Sequence, residues 1–262
     1  MPSEPTDTPV ALHHEVSGPA DAPAILLGGS LGTTAAMWDG QAPLAERLRT
    51  IRYDHRGHGR SPAPPGPYDI ADLGRDVLAL MDRLELDRAS HCGVSLGGMV
   101  GMWLAANAPE RVERLILICT SAHMPPASAW AERAATVRRT GGTEAIADAV
   151  VERWLTPEYA AERPDVRATL RAMLVGASPE GYAACCDAIR DMDLRPLLDR
   201  IEAPTLVVSG AEDQAAPPEH QRLIADAIPG ARHEVLSPAA HIAPVEQADA
   251  VTTLILEHLG VP

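Results

Sequence analysis

The chain has 262 residues, 46% hydrophobic and 22% charged, an ordinary globular balance in a length that can bury a good core as one large domain. A formal charge of −14 with no basic tract argues against nucleic acid as a partner, and an anionic ligand would need local arginines to draw it in. The polar start MPSEPTDTPV has no signal-peptide core, and no apolar run approaches a membrane span, so the chain reads as cytoplasmic with no membrane partner.

In chain order, AILLGG (24–29) reads as a buried strand and TIRYD (50–54) as a second. Residues 69–86 read as a helix, with Val77, Leu80, Met81 and Leu84 on one face and Asp69 as its N-cap. ASHCG (89–93) is a short strand, and 96–107 a helix that stops at Pro109. RLILICT (114–120), PTLVVSG (204–210) and HEVL (233–236) are further strands, and 245–259 a closing helix. Strands alternating with helices imply an α/β architecture whose central sheet is mostly parallel and covered on both faces. From about 122 to 196 the alternation gives way to helix alone, for example Ile146, Val150 and Trp154 at four-residue steps and then Leu170, Met173 and Leu174. That stretch is expected to form a cap over the edge of a core built from 1–121 and 197–262, the edge where open α/β sheets bind ligands. Cys92 and Cys119 fall in strand-like runs as buried thiols, and adjacent Cys185 and Cys186 read as reduced.

The spelling Gly-x-Ser-x-Gly occurs twice, as GGSLG (28–32) and GVSLG (93–97). It is the spelling of a nucleophile elbow, a turn that needs a strand just before its serine and a helix just after it. Ser95 meets both conditions, and Gly97, Gly98 and Gly101 open its helix with residues that suit close packing rather than helix propensity. After Ser30 come Gly32 and two threonines, a loop before any helix. Ser95 is therefore the expected nucleophile. Its base and orienting acid follow in the order acid, then histidine. AEDQAAPP after one strand offers Asp213 or Glu212, with Asp213 preferred at this turn, and SPAAHIAPVEQ after the next offers His241. Both loops leave the sheet on the edge that carries Ser95. The oxyanion donors expected are the backbone amides of Leu96, next to the nucleophile, and Leu31 in the twin motif. His220 and His233 read as structural. His55 and His58 in YDHRGHGRSP lack a third ligand at a supporting spacing, so the stretch reads as a glycine-rich loop rather than a metal site. No metal and no cofactor is expected.

Together SLGTTAAMWDGQ, YDHRGHGRSP, HCGVSLGGMVGMWLAANAPERV, RWLTPEY, YAACCDAIRDMDLR and AAHIAPVEQ make the chain resemble the 3-oxoadipate enol-lactonases from residue 10 to 259. The family pattern is departed from at Gly29, where Asn is expected. The resemblance implies an α/β-hydrolase fold with an inserted helical cap, and hydrolysis of 3-oxoadipate enol-lactone to 3-oxoadipate in aromatic catabolism, the β-ketoadipate pathway. Ser95, His241 and Asp213 would then act on a small anionic lactone. Arg133, Arg138 and Arg139 are candidates to hold its carboxylate, and Trp130 to line the pocket. The rival activities are carboxylesterase, carbon–carbon bond hydrolase and cofactor-free perhydrolase, or a catalytically silent fold that binds a ligand. The oligomeric state is left open.

Overall fold

The protein is described by a computed structural model over residues 8–261; most of the polar N-terminal stretch, residues 1–7, lies outside them. Seven strands form one sheet: β1 (His14–Ser17), β2 (Ala24–Gly28), β3 (Arg49–Tyr53), β4 (Ala89–Val94), β5 (Val112–Ile118), β6 (Thr205–Gly210) and β7 (Arg232–Leu236). Their order is β1-β3-β2-β4-β5-β6-β7, and every neighbouring pair is parallel except β1 with β3. β4 and β6 are buried along their whole length, as the inner strands of a sheet covered on both faces are. β1, HEVS, is short, polar and mostly exposed at the sheet's edge, and so left no strand signal in the sequence.

Helix α1 (Ile70–Arg83) starts where expected. The Asp69 carboxylate accepts the Asp72 amide at 2.7 Å and the Asp72 carboxylate accepts the Asp69 amide at 2.9 Å, a reciprocal cap. Helix α2 (Leu96–Asn107) follows β4 and is buried on nearly all sides, which its all-round apolar composition requires. Between β5 and β6 lie five α-helices, α3 (Ala127–Thr140), α4 (Glu144–Val151), α5 (Pro157–Glu162), α6 (Pro164–Val175) and α7 (Pro179–Asp191), and a 3-10 turn at Arg195–Arg200. α3 packs along α7, where the Arg138 guanidinium bridges Glu180 and Asp187. Helices α8 (Pro218–Ala227), α9 (Ala243–Glu246) and α10 (Ala248–Leu259) complete the fold.

The structure departs from the sequence reading at three places. The step from Ile146 to Trp154 is not one helix, because α4 ends at Val151 and Trp154 packs from the turn beyond it. The closing helix is broken at Gln247, whose backbone leaves the helical region (φ −125°, ψ 50°). Residues Ala35–Glu46, for which the sequence reading named no element, form a 3-10 segment that buries Met37, Trp38 and Leu44 despite an internal Pro43. All four cysteines are free and buried. No described helix is long and apolar enough to cross a membrane.

Candidate active site

β4 is the central strand of the seven, and Ser95 stands between it and α2 at φ 53°, ψ −111°. A non-glycine residue there costs about 1–3 kcal/mol and persists only where its surroundings hold it. The Ser95 amide donates to Ile118 O at 3.0 Å, and its carbonyl accepts from Thr120 Oγ1 at 2.6 Å and from the Met99 amide at 3.0 Å. The glycines around it are steric necessities. A Cβ on Gly93 would lie 2.1 Å from the Gly97 carbonyl carbon, and one on Gly97 would lie 2.3 Å from Gly28 O. That second approach presses the two Gly-x-Ser-x-Gly turns together, and the Gly97 amide donates to Gly29 O at 3.0 Å.

The loop after β6 carries Asp213 and the loop after β7 carries His241, both nearly fully buried. His241 Nδ1–H donates to Asp213 Oδ2 at 2.9 Å, with Oδ1 at 3.1 Å. Asp213 Oδ1 also accepts the Ala215 and Ala216 amides at 2.8 and 2.9 Å, which hold the carboxylate still. Glu212, the other candidate acid, is exposed and lines a separate outer groove. With Nδ1 donating to Asp213, the lone pair of His241 Nε2 faces the cavity that Ser95 also lines. Ser30 Oγ lies 3.5 Å from that nitrogen. Glu246 ties the His241 loop to the helical insertion, accepting the Ala240 amide and both the amide and hydroxyl of Thr156.

Ser30, Leu31, Ser95 and His241 form one wall of this small cavity. The Leu31 amide has no hydrogen-bond partner among the described residues. The Leu96 amide is the first of α2 and has none inside the helix. The opposite wall comes from the insertion and includes Trp130, Arg133, Arg153 and Tyr182. The Arg133 guanidinium stacks over the Trp130 ring at 4.6 Å. Neither Arg133 nor Arg153 forms an ion pair among the described residues. Burial first, then the charge of Arg133, lowers the pKa of Arg153, and the two guanidiniums share this corner of the cavity. The Tyr182 hydroxyl is buried beside it, next to the Arg133 guanidinium.

Two arginine candidates fall outside the cavity. Arg138 is held by Glu180, with both contacts at 3.0 Å, and by Asp187 at 2.8 Å; Arg139 is exposed and bonds Thr136. Arg153 is a charged cavity residue that the sequence reading missed. Its signal was its spacing from Val150 and ahead of Trp154, since all three line the cavity, but the end of α4 at Val151 hid the shared face. Among the described residues no group of three or more His, Cys, Asp or Glu side chains is placed to hold a metal ion. His233 bonds Ser209 Oγ at 2.7 Å, and His220 lines a groove with Ser121 and Arg195.

Residues 23–152 and 176–248 match the family described as alpha/beta hydrolase fold. The chain is 42% identical to 3-oxoadipate enol-lactonase 2 of Acinetobacter baylyi, over 92% of this chain and 90% of that protein. Its structure superposes on the enol-lactonase of Burkholderia xenovorans with a TM-score of 0.93 at 45% identity, covering 96% and 97% of the two chains. A thermophilic esterase of Thermogutta terrifontis is also similar, with a TM-score of 0.91 at 31% identity over 97% and 96%. The chain belongs to the α/β-hydrolase fold family and, within it, to the family of the 3-oxoadipate enol-lactonases.

Proposed function

We infer that the protein is a serine hydrolase that opens the ring of 3-oxoadipate enol-lactone, with residues 122–196 serving as the cap over its site. One observation carries the reading to this substrate: Arg133 and Arg153, without acidic partners, face Ser95 and His241 across one small cavity. A lactone carbonyl at Ser95 then leaves the acetate arm pointing toward paired guanidiniums, which suit a carboxylate. The negative field of the whole chain makes such local charge necessary for an anionic substrate.

His241 Nε2 takes the proton of Ser95 Oγ as that oxygen adds to the lactone carbonyl. The Leu31 and Leu96 amides stabilise the oxyanion, and Asp213 orients the imidazolium through the 2.9 Å bond to Nδ1. The ring C–O bond breaks and the departing enol oxygen takes the proton back from His241. Water, deprotonated by the same nitrogen, adds to the acyl carbon; Ser95 Oγ departs with the proton returned from His241, and the freed enol tautomerises to 3-oxoadipate. The enol oxygen is a better leaving group than an alkoxide, so the barrier rests mainly on charge stabilisation and orientation.

The testing experiment compares kcat/KM for the enol-lactone with that for neutral aryl esters. A marked preference for the lactone, lost when Arg133 and Arg153 are both replaced by Met, is the expected result. A preference for the aryl esters would give the site to a carboxylesterase.

A further inference from the structure

The stretch YDHRGHGRSP has no part in the chemistry above, yet Asp54, His55, Arg56 and His58 are all buried, each at most 3% exposed. Their partners explain this. His55 Nε2–H donates to Gly29 O at 3.1 Å, the Gly32 amide donates to His58 Nε2 at 2.8 Å, and the Ala35 amide donates to Asp54 Oδ1 at 2.7 Å. All three bonds reach the backbone of the loop that carries Ser30 and Leu31. The two histidines grip the peptide groups on either side of the Ser30–Leu31 peptide, whose N–H is the oxyanion donor.

His58 can accept only while neutral, and its other nitrogen fixes the tautomer: Nδ1–H donates to Arg56 O at 3.1 Å. Burial lowers the pKa of His58, and burial followed by the neighbouring His58 lowers that of His55 to about 3. The gripping loop is itself anchored twice. Arg56 makes a two-pronged buried pair with Asp76 at 2.6 and 2.7 Å. Gly57 lies against Gly181 of α7, where a Cβ would come within 2.4 Å of the Gly181 Cα, and Gly57 O accepts the Ser178 amide at 3.2 Å. Gly32 sits at φ 87°, a conformation with little steric restraint of its own in glycine, so its direction depends on this external partner.

We propose that His58 is a positioning residue for acyl transfer: it holds the Gly32 amide so that the adjoining Leu31 N–H points at the developing oxyanion. The proposal rests on the serine-hydrolase reading above. It predicts that a side chain at 58 able to accept a hydrogen bond preserves catalysis and one unable to accept does not.

The experiment uses p-nitrophenyl acetate turnover and inhibition by phenylboronic acid, whose tetrahedral adduct puts an oxygen in the oxyanion hole. H58L is expected to lower kcat by about 10–100-fold with KM within about twofold, because a displaced donor fails mainly in the transition state. Its boronate Ki should rise by a comparable factor, while H58Q, with an amide oxygen to accept, stays within about fivefold of the parent. A folded H58L with parental kcat overturns the proposal, as does an H58Q as impaired as a folded H58L. If H58L does not fold, H58Q alone decides, with retained kcat for the proposal and a folded but equally crippled enzyme against it. If neither folds, the ring ¹⁵N shifts of His58 in the parent decide: a neutral Nδ1–H tautomer supports the proposal, and an Nε2–H tautomer or a cation overturns it. S95A in the same assay separates the two readings, since undiminished turnover there removes the serine mechanism itself, whereas a dead S95A beside an active H58L removes only the role of His58.

Discussion

Two turns of the molecule share the spelling Gly-x-Ser-x-Gly and touch one another, yet their serines stand in different structures. Ser95 directly follows a six-residue buried strand and directly precedes α2, and its backbone stands at φ 53°. Ser30 follows β2 by two residues, and its carbonyl is closed into a turn by the amide and hydroxyl of Thr33 at 3.0 and 2.8 Å. A helical segment begins only at Ala35. A helix that starts at once lifts its first residue and aligns amides beneath it; a delayed one leaves a loop whose amides need holding from outside. The first turn suits an attacking oxygen, and the second suits a donor such as the Leu31 amide. At Gly29, a Cβ would meet Thr33 Oγ1 at 2.6 Å, so a larger residue there would require that hydroxyl to shift.

The comparison breaks most decisively at Ser95. S95A is expected to lower kcat for the enol-lactone by about 10⁵–10⁶-fold and abolish the acyl-enzyme burst, the scale of losing a triad member, while circular dichroism stays native; a burst from S95A would move the nucleophile elsewhere. Next comes the seam between the turns. G97A places a methyl against Gly28 O, and should cost about 1–3 kcal/mol in urea denaturation and about 10²-fold in kcat, since both donors shift. Parental activity there would show that the two turns need no common register.

R153M acts on the opposite wall. Losing one charged hydrogen bond should raise KM for the anionic lactone about 10–100-fold and leave that for a neutral aryl ester unchanged; equal effects on both would make Arg153 a packing residue. The smallest effect is expected at the second serine. S30A removes one neutral hydroxyl 3.5 Å from His241 and should cost no more than about tenfold in kcat/KM, with the burst intact. A loss as deep as that of S95A would make the two serines partners in one step.

Much of the core was legible because its signals are local. The strand before Ser95, the glycines after it and the reciprocal cap of α1 each depend on residues within a few positions of one another. The helical insertion was legible only as helix. Its arginines looked alike in the sequence, and Arg138 was distinguished from Arg133 only by the approach of Glu180 and Asp187 from α7. Arg153 escaped notice because a face that continues past a helix end has no regular period to read.

By itself, then, the sequence determined the α/β alternation, the strand–turn–helix setting of Ser95 that Ser30 lacks, and the sheet edge shared by the loops of Asp213 and His241. Periodicity, capping and turn sterics act over a few residues, so they are written into neighbouring letters. Only the tertiary structure decided which groups meet. Asp213 and not Glu212 bonds His241 across 28 residues, Ser30 approaches His241 across 211, and His58 reaches Gly32 across 26. Such meetings follow from how strands are ordered and helices packed, a collective outcome of burying the whole core, and no short stretch of residues encodes them.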